Sequence, residues 1–396
     1  GGEGNGAAAG EGEGEGVLLC STALNTARFV GRYLRLVREV EPVAVEATRG
    51  LVGLVQLYVL TVFNVFWTGP PPGSAGFEEH DPGMPASLRQ ALLALHTSTH
   101  AGAAEQHEPL TDSAAELQAD LARAAASVSL ERLRAPLESQ EMFALPQTIV
   151  AMESLQLLAE LLRSHLLPAA EASAPAAAPR VRALVEQVGP ITVQIYRGVA
   201  RGMLDLEPIV AAIRSRSWAP RETGTQHPPR TSPSAERISF LQAPREIGTQ
   251  HSPYVDQLVQ HVQQLAGSLS QLGVPVAAYR TLVGEAIGAI CEHLVDGYAG
   301  VKKASDEGRA QMSLDVKTLQ AALRKLLPEM APSMAHVEDY LRALYLPPQE
   351  LLAWARAHPQ YSVRHRTALV ALNGVSSGLK KREQQDLLDS LAKQDG

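Results

Sequence analysis

The sequence predicts an all-α protein, an elongated stack of antiparallel helical bundles. Three observations carry this. Apolar residues recur by steps of three and four along most of the chain, the spacing of one helix face. No run of strict apolar–polar alternation is long enough to build a sheet. Gly, Pro and Asn stand between the periodic segments, leaving roughly ten or more helices joined by short links.

Composition narrows the class. The 396 residues suffice for about two or three ordinary domains, with 45% apolar and 19% charged side chains, as in a globular protein with sizeable cores. A net charge of −7 gives no basic field for nucleic acid. Cys20 and Cys291 are the only cysteines, too few for a disulfide scaffold or a cysteine-held zinc, and this fits a reducing cytoplasm. The chain opens on Gly1-Gly2-Glu3 with no initiator methionine, as expected of the tail of a longer protein. No signal-peptide pattern is visible there.

Taken in order, Gly1 to Gly16 holds no apolar residue larger than alanine and is predicted to be disordered. Helices are expected from Thr22 to Trp67, bent near Pro42. Within them, Leu51 to Trp67 is apolar on nearly all sides. It falls just short of the about 18–20 residues of a membrane span, so a buried core helix is the reading. Gly69 to Gly73 stops the helices, and a loop follows with one short helix near Leu88 to Leu95. Ser113 to Leu137 reads as helix. Leu145, Ile149, Met152, Leu155, Leu158, Leu162 and Leu166 form a stripe that ends at Pro168. Ala169 to Pro179 is expected to be a flexible link. Helix resumes at Arg180 and reaches Trp218, with a break at Gly189-Pro190.

Ala219–His227 then recurs as Ala243–His251, offset by 24 residues. A solenoid needs about three or more repeats, so this is a local duplication and not an architecture. Ser252, Pro253 and Asp256 mark a helix start: a cap, a first-position proline and a first-turn acid. Tyr254, Leu258, Val262, Leu265, Leu269 and Leu272 give its inner face, and Gly273 and Pro275 end it. Val276, Tyr279, Val283, Ile287, Ile290 and Leu294 lead into the next stretch. Ser333 starts a helix with Val337, Leu341, Leu344 and Tyr345 inward. Pro347-Pro348 begins another that His358-Pro359 ends, and two more follow, divided at Asn373-Gly374. The expected organisation is a disordered tail at 1–16, N-terminal bundles at 17–218 with a flexible loop at 69–112, a duplicated Pro-rich insert at 219–244, and a C-terminal bundle at 245–396.

The stretch from Leu294 to Leu319 is the most distinctive. As a single helix it places Tyr298, Val301, Ser305, Gly308, Met312, Val316 and Leu319 on one stripe. Lys302, Lys303, Asp306, Glu307, Arg309 and Lys317 fall opposite, with Lys302–Asp306 and Lys303–Glu307 spaced for ion pairs across one turn. Gly308 inside a helix costs about 1 kcal/mol against alanine, so close approach by a neighbouring helix is expected there. Mutual salt bridging also accounts for the grouped carboxylates Asp296, Asp306, Glu307 and Asp315. No catalytic motif is present. His96 and His100 share a helix face, but Thr97 stands where a zincin needs Glu, so no metal or cofactor site is assigned. His293, His336, His358 and His365 read as surface or helix-end polarity. Lys302, Lys303 and Arg309 form one basic group and Lys380, Lys381 and Arg382 a second. Each holds three residues, fewer than the about 4–8 usual for anionic lipid, so a solvated face is the plainer reading and a lipid or acidic-partner contact the sharper one.

Asp296-Gly297-Tyr298-Ala299, Val301-Lys302-Lys303, Ser305, Glu307-Gly308-Arg309-Ala310, Met312 and Leu314-Asp315 together resemble the C-terminal part of the syndetin family. Ala23-Leu24-Asn25 with Arg28, Gly31 and Tyr33 agrees, as do Glu153-Ser154-Leu155, Trp218, Gln250-His251, Tyr254-Val255-Asp256, Trp354, His358 and Tyr361-Ser362. The resemblance runs from about Cys20 onward. The family pattern passes from the tryptophan directly into the second repeat copy, so Ala219 to Gln242 is surplus. The resemblance implies a non-enzymatic helical rod, a subunit of the endosome-associated recycling tether. It implies partners among other tether subunits, SNAREs, small GTPases and an acidic membrane surface. It implies a peripheral, cytoplasmic location on recycling endosomes or the trans-Golgi network. Exposed surface from Leu346 to Ala392 is the expected contact region. The related Golgi-directed retrograde tether is the alternative. A metal-dependent hydrolase or a membrane-embedded helical protein is the reading of another class.

Overall fold

The computed structural model describes residues 19–70, 72–74, 76–77, 84–100, 144–218 and 250–376. Among them the secondary structure is helical, apart from one isolated bridge between Trp218 and Ala304. The acidic glycine tail, the helix expected over Ser113 to Leu137, the duplicated insert, and Lys380, Lys381 and Arg382 lie outside the described residues. The chain divides into two compact units. The first holds residues 1–203 and 272–281, and the second 204–271 and 282–396. The segment before the insert, 204–218, therefore counts with the C-terminal unit.

The first unit is built on α1 (Ser21–Glu39), α2 (Glu41–Phe66), α3 (Ala86–His100), α4 (Leu145–Leu161), α5 (Leu167–Ser173) and α6 (Ala178–Met203). Cys20 caps α1, its sulfur accepting the Ala23 N–H. The α1–α2 break falls at Val40, which lets Pro42 sit in the first turn of α2, where its missing N–H costs nothing. α2 is the one helix among the described residues long and apolar enough to cross a bilayer. Its Leu51, Val55, Val59 and Phe63 are nevertheless buried against α1, α3 and α6, as in the central helix of a globular core.

Three expectations fail in this unit. Pro168 does not end the α4 stripe. A π turn over Leu162–Leu166 bonds the Leu167 N–H to the Leu162 carbonyl, shifting the ladder by one residue ahead of the proline. Ala169 to Pro179 is not a flexible link. Helix α5 fills its start, and Ala170, Ala174 and Ala177 are buried, because methyl side chains let the turn close tightly onto its neighbours. Nor does Gly189-Pro190 break α6. The helix runs through it with Val188, Ile191, Thr192 and Ile195 buried, and this packing outweighs the roughly 3 kcal/mol of an interior proline.

The second unit comprises α7 (Glu207–Ser215), α8 (Pro253–Gln271), the length of α9 (Val276–Ala299) from Leu282, α10 (Asp306–Leu326), α11 (Ala335–Ala343), α12 (Pro348–Ala357) and α13 (Val363–Ser376). Tyr254, Leu258, Val262, Leu265 and Leu269 are buried as the spacing required, while Leu272 lies past the helix end and is exposed. Val283, Ile287, Ile290 and Leu294 line the inside of α9, whose first residue Val276 is exposed. Tyr340, not Tyr345, is the buried tyrosine of the α11 region. α13 is not divided at Asn373-Gly374. The Asn373 amide donates to the Leu344 and Leu346 carbonyls, so the residue fastens the α11–α12 link instead of turning the chain. Leu294 to Leu319 is two helices, α9 and α10, and not one. Ser305 caps α10 by accepting the Gly308 N–H, and Asp306 and Glu307 occupy the first turn. Ser-Asp-Glu is a helix-start signal, and it overrides the apolar stripe that continued through it.

Candidate functional site

The motif residues converge inside the second unit. Asp315, on α10, is 1% exposed and receives four hydrogen bonds. Its Oδ1 accepts the Ser252 N–H at 2.8 Å and the Gln311 Nε2–H at 2.9 Å, and its Oδ2 accepts the Ser252 hydroxyl at 2.6 Å and the Tyr254 hydroxyl at 2.7 Å. A carboxylate only accepts, so the proton directions are determined. Tyr254 spends its hydrogen on Asp315, and Tyr298, 2.8 Å away, must donate to Tyr254. Ser252 spends its own likewise and accepts from Arg216 Nη1. Two relays therefore end on one anion, Tyr298→Tyr254→Asp315 and Arg216→Ser252→Asp315. Burial and the neighbouring carboxylate push the Tyr254 and Tyr298 phenols well above their usual range, so both stay protonated as donors. Ser252 thus serves Asp315, which displaces its expected role as a side-chain cap for α8.

Trp218 closes the arrangement from the other side. The Arg216 guanidinium lies over its ring at 5.0 Å, and Tyr298 meets it edge-on at 6.1 Å. The indole N–H donates to the Ile213 carbonyl, and the Trp218 carbonyl accepts the Ser305 N–H at 2.9 Å. The inner glycines make room for this segment. A Cβ on Gly308 would lie 1.8 Å from the Trp218 oxygen, and one on Gly297 would meet Ile213 at 3.0 Å. The close approach expected at Gly308 is real, but it comes from an extended backbone carbonyl and not from a helix. Met312 is fully buried beside this centre on α10.

The charged motif residues do not pair as their spacing suggested. Lys302 and Lys303 lie in the link between α9 and α10, exposed, so they have no helical turn in common with Asp306 and Glu307. Arg309 is buried, not on an outer face. It donates to the Leu344 carbonyl at 2.9 Å, lies over the Tyr345 ring at 5.8 Å and stands 3.9 Å from Asp306. Glu307 is fully exposed, and hydrogen bonds from its own backbone N–H and from Ser305 lower its carboxyl below the usual value. Asp296 takes the His365 Nε2–H at 2.8 Å, with Arg364 at 4.0 Å. The His365 bond outweighs burial and holds the Asp296 carboxyl below its ordinary value.

Of the histidines expected as surface or helix-end polarity, His358 stands at the end of α12, and its ring, like that of His336, joins an aromatic stack. His336 stacks on Tyr361 at 4.6 Å, and Trp354 stacks between Tyr361 and His358. In the first unit His96 lies against Gly73, where a Cβ would touch its ring at 2.8 Å, while the His100 side chain is outside the described residues. Among the described residues no cluster of three or more His, Cys, Asp or Glu could hold a metal. The Asp315 carboxylate has each oxygen occupied by two donors, so it offers little to a substrate or ion. The geometry is that of a fastening. It ties residues 216–218, 250–254, 298 and 305–315 into one piece, although about 30 residues of insert separate the first two.

Sequence reasoning missed Arg216, read His365 as surface or helix-end polarity and took Ser252 for a cap. No local spacing announces a partner 63 residues away. The available hint was that Trp218, Gln250 and Tyr254 belong to the same family pattern as Asp315.

Comparison with known proteins agrees with that pattern. Residues 243–392 match the family described as Syndetin, C-terminal. The chain is 26% identical to syndetin of Gallus gallus over 94% of its own length and 37% of that protein. It is 27% identical to syndetin of Rattus norvegicus over 94% of its length and 36% of that protein. The chain is thus similar to the C-terminal region of syndetin, and it spans little more than a third of the curated relatives' length.

Proposed function

We propose, from the match of residues 243–392 to the syndetin C-terminal family, that this chain is the C-terminal part of a vesicle-tethering subunit acting in endosomal recycling of cargo to the plasma membrane. That match carries the reading. The all-helical fold supports it: units whose most distinctive residues serve cohesion offer surface, and the chain works as a non-catalytic scaffold. Its partners are the other tether subunits and the SNAREs whose pairing it assists, with small GTPases and an acidic membrane surface as further contacts. It acts from the cytoplasm, peripherally on recycling endosomes or trans-Golgi membranes. Lys302 and Lys303 are the motif cations free of a buried role, and with Lys380, Lys381 and Arg382 they are the proposed contacts for acidic headgroups or an acidic partner segment. Surface from Leu346 onward is the proposed contact region of the second unit.

Proximity labelling from the full-length protein at native level tests this. Recycling-tether subunits and SNAREs are expected among the labelled neighbours, and loss of the protein should slow the return of internalised cargo. Labelling of Golgi-directed tether subunits alone would move the chain to that complex. Labelling of neither set would overturn tethering.

A further inference from the structure

The first unit carries a surface that the function above does not use. Phe29, Tyr33 and Leu36 follow one another on α1 by four and three residues, and Val40 and Val43 lie at the turn where the chain folds back from α1 into α2. Each keeps 37–42% of its surface exposed, and the Phe29 and Tyr33 rings lie 4.5 Å apart. The stripe is not the buried side of the helix, which is formed by Ala23, Thr26, Val30 and Val37. Arg28, Arg32 and Arg35 each stand one residue before a stripe residue, so they form a parallel row about 100° around the helix. All three are exposed, and among the described residues only Arg35 has a carboxylate near it, Glu39 at 3.9 Å. From Ser21 to Val43 there are four arginines, two glutamates and no lysine, in a chain of net charge −7.

We infer that the α1 face is a docking surface for an acidic amphipathic helix of a partner protein. On α1 the stripe from Phe29 to Leu36 is about 10 Å long at the helical rise, the length of about two turns of a partner helix. Such a helix lies with apolar residues spaced three and four apart on Phe29, Tyr33 and Leu36. Asp or Glu on its flank meets the arginine row, which supplies charge complementarity. The chemistry favours protein over lipid. Aromatic residues and arginine are the groups enriched at protein interfaces, where lysine is depleted. An interfacial helix buries its apolar face about 5–10 Å into the bilayer, whereas these side chains are more than half covered by their own unit and do not protrude. The inference goes beyond the tethering proposal and stands without it, since its surface lies in the unit that lacks the Asp315 centre.

A photo-crosslinking amino acid in place of Tyr33, in the full-length protein in cells, tests it. The expected product joins this position to a segment of another protein with apolar residues at helical spacing and an Asp/Glu flank. Arg28→Glu, Arg32→Glu and Arg35→Glu together should reduce that product at least tenfold and leave the melting temperature unchanged, because all three side chains are exposed. The Arg→Lys triple variant should retain most of it. Crosslinks to lipid, to this chain or a second copy of it, or to a segment without acidic residues would overturn the inference. So would no crosslink, or one indifferent to charge reversal. None of these readouts depends on cargo recycling, so either proposal can fail alone.

Discussion

Replacing Gly308 by alanine sets two physical effects against each other. On helix propensity alone the change inside α10 favours folding by about 1 kcal/mol. The geometry opposes it. The new Cβ would lie 1.8 Å from the Trp218 carbonyl oxygen and 2.8 Å from its carbon. That carbonyl cannot swing aside without losing the Ser305 N–H it accepts at 2.9 Å, and the indole is held by the Ile213 carbonyl. Relief means lifting the Trp218 segment off the start of α10. Overpacking of this kind costs about 1–3 kcal/mol, and the lost hydrogen bond about 0.5–1.5 more. After subtracting the propensity gain, the expected net destabilisation is about 1–3 kcal/mol. Urea unfolding followed by tryptophan fluorescence measures it. Gly267→Ala and Gly288→Ala are the controls: an added Cβ meets nothing within 4 Å at either, and each should be neutral or stabilising by up to about 1 kcal/mol. If Gly308→Ala matched its controls, the close contact with Trp218 would not exist in solution and the account of this centre would fail with it.

Asp315→Asn keeps the shape but turns an NH2 group toward two donors, so two bonds are lost and their donors stranded; about 2–5 kcal/mol should disappear from the second unit, and a melting temperature within a degree of the parent would refute the four-donor assignment. The Asp296–His365 bond predicts an acid effect. The folded carboxyl titrates below its ordinary value of 3.8, so its contribution is complete above that pH and is lost as pH falls through the lower folded value. His365→Gln should therefore lower stability near neutrality and converge with the parent below the folded value, as acid unfolding curves would show; a constant gap at every pH would count against the pairing. Deleting residues 219–242 should leave the unfolding transition of the second unit in place. Arg216 already touches Ser252, and the seven residues 243–249 reach up to about 25 Å, ample for that gap. A lost or broadened transition would show that the insert is structural.

What could be read from the sequence divides by the range of the physics involved. Periodicity is local, so the faces of α4 and α8 were legible almost residue by residue, while on α11 Val337 and Leu341 were legible and Tyr340 was not. Punctuation was less reliable, because proline and glycine state a preference that packing can override. Pro190 and Gly374 sit inside continuous helices, and Pro168 is accommodated by a π turn. Ser305 shows the opposite error: a cap signal was present and the apolar stripe distracted from it. The Asp315 centre was not legible at all as chemistry. Its donors come from Ser252, Tyr254 and Gln311, and spacing records nothing of contacts across 61 or 63 residues.

This has a consequence for how the family motif is used experimentally. Tyr298, Gly308, Arg309, Met312 and Asp315 are all buried, and each is in contact with a segment distant in sequence or sealed in the core around it. A charge reversal at Arg309 would remove the shorter of the two hydrogen bonds the Leu344 carbonyl accepts and place a carboxylate in a buried site, so a lost interaction in such a variant would report unfolding before it reported binding. Lys302 and Lys303, two residues of the same motif, carry no such penalty. A pair of variants therefore separates the two roles. Lys302→Glu with Lys303→Glu should melt like the parent and weaken flotation with anionic vesicles, while Arg309→Leu should lower the melting point and weaken flotation only to the extent that protein unfolds. If the lysine pair melted lower and Arg309→Leu bound normally while folded less, the cohesive and contact roles assigned to these residues would have to be exchanged.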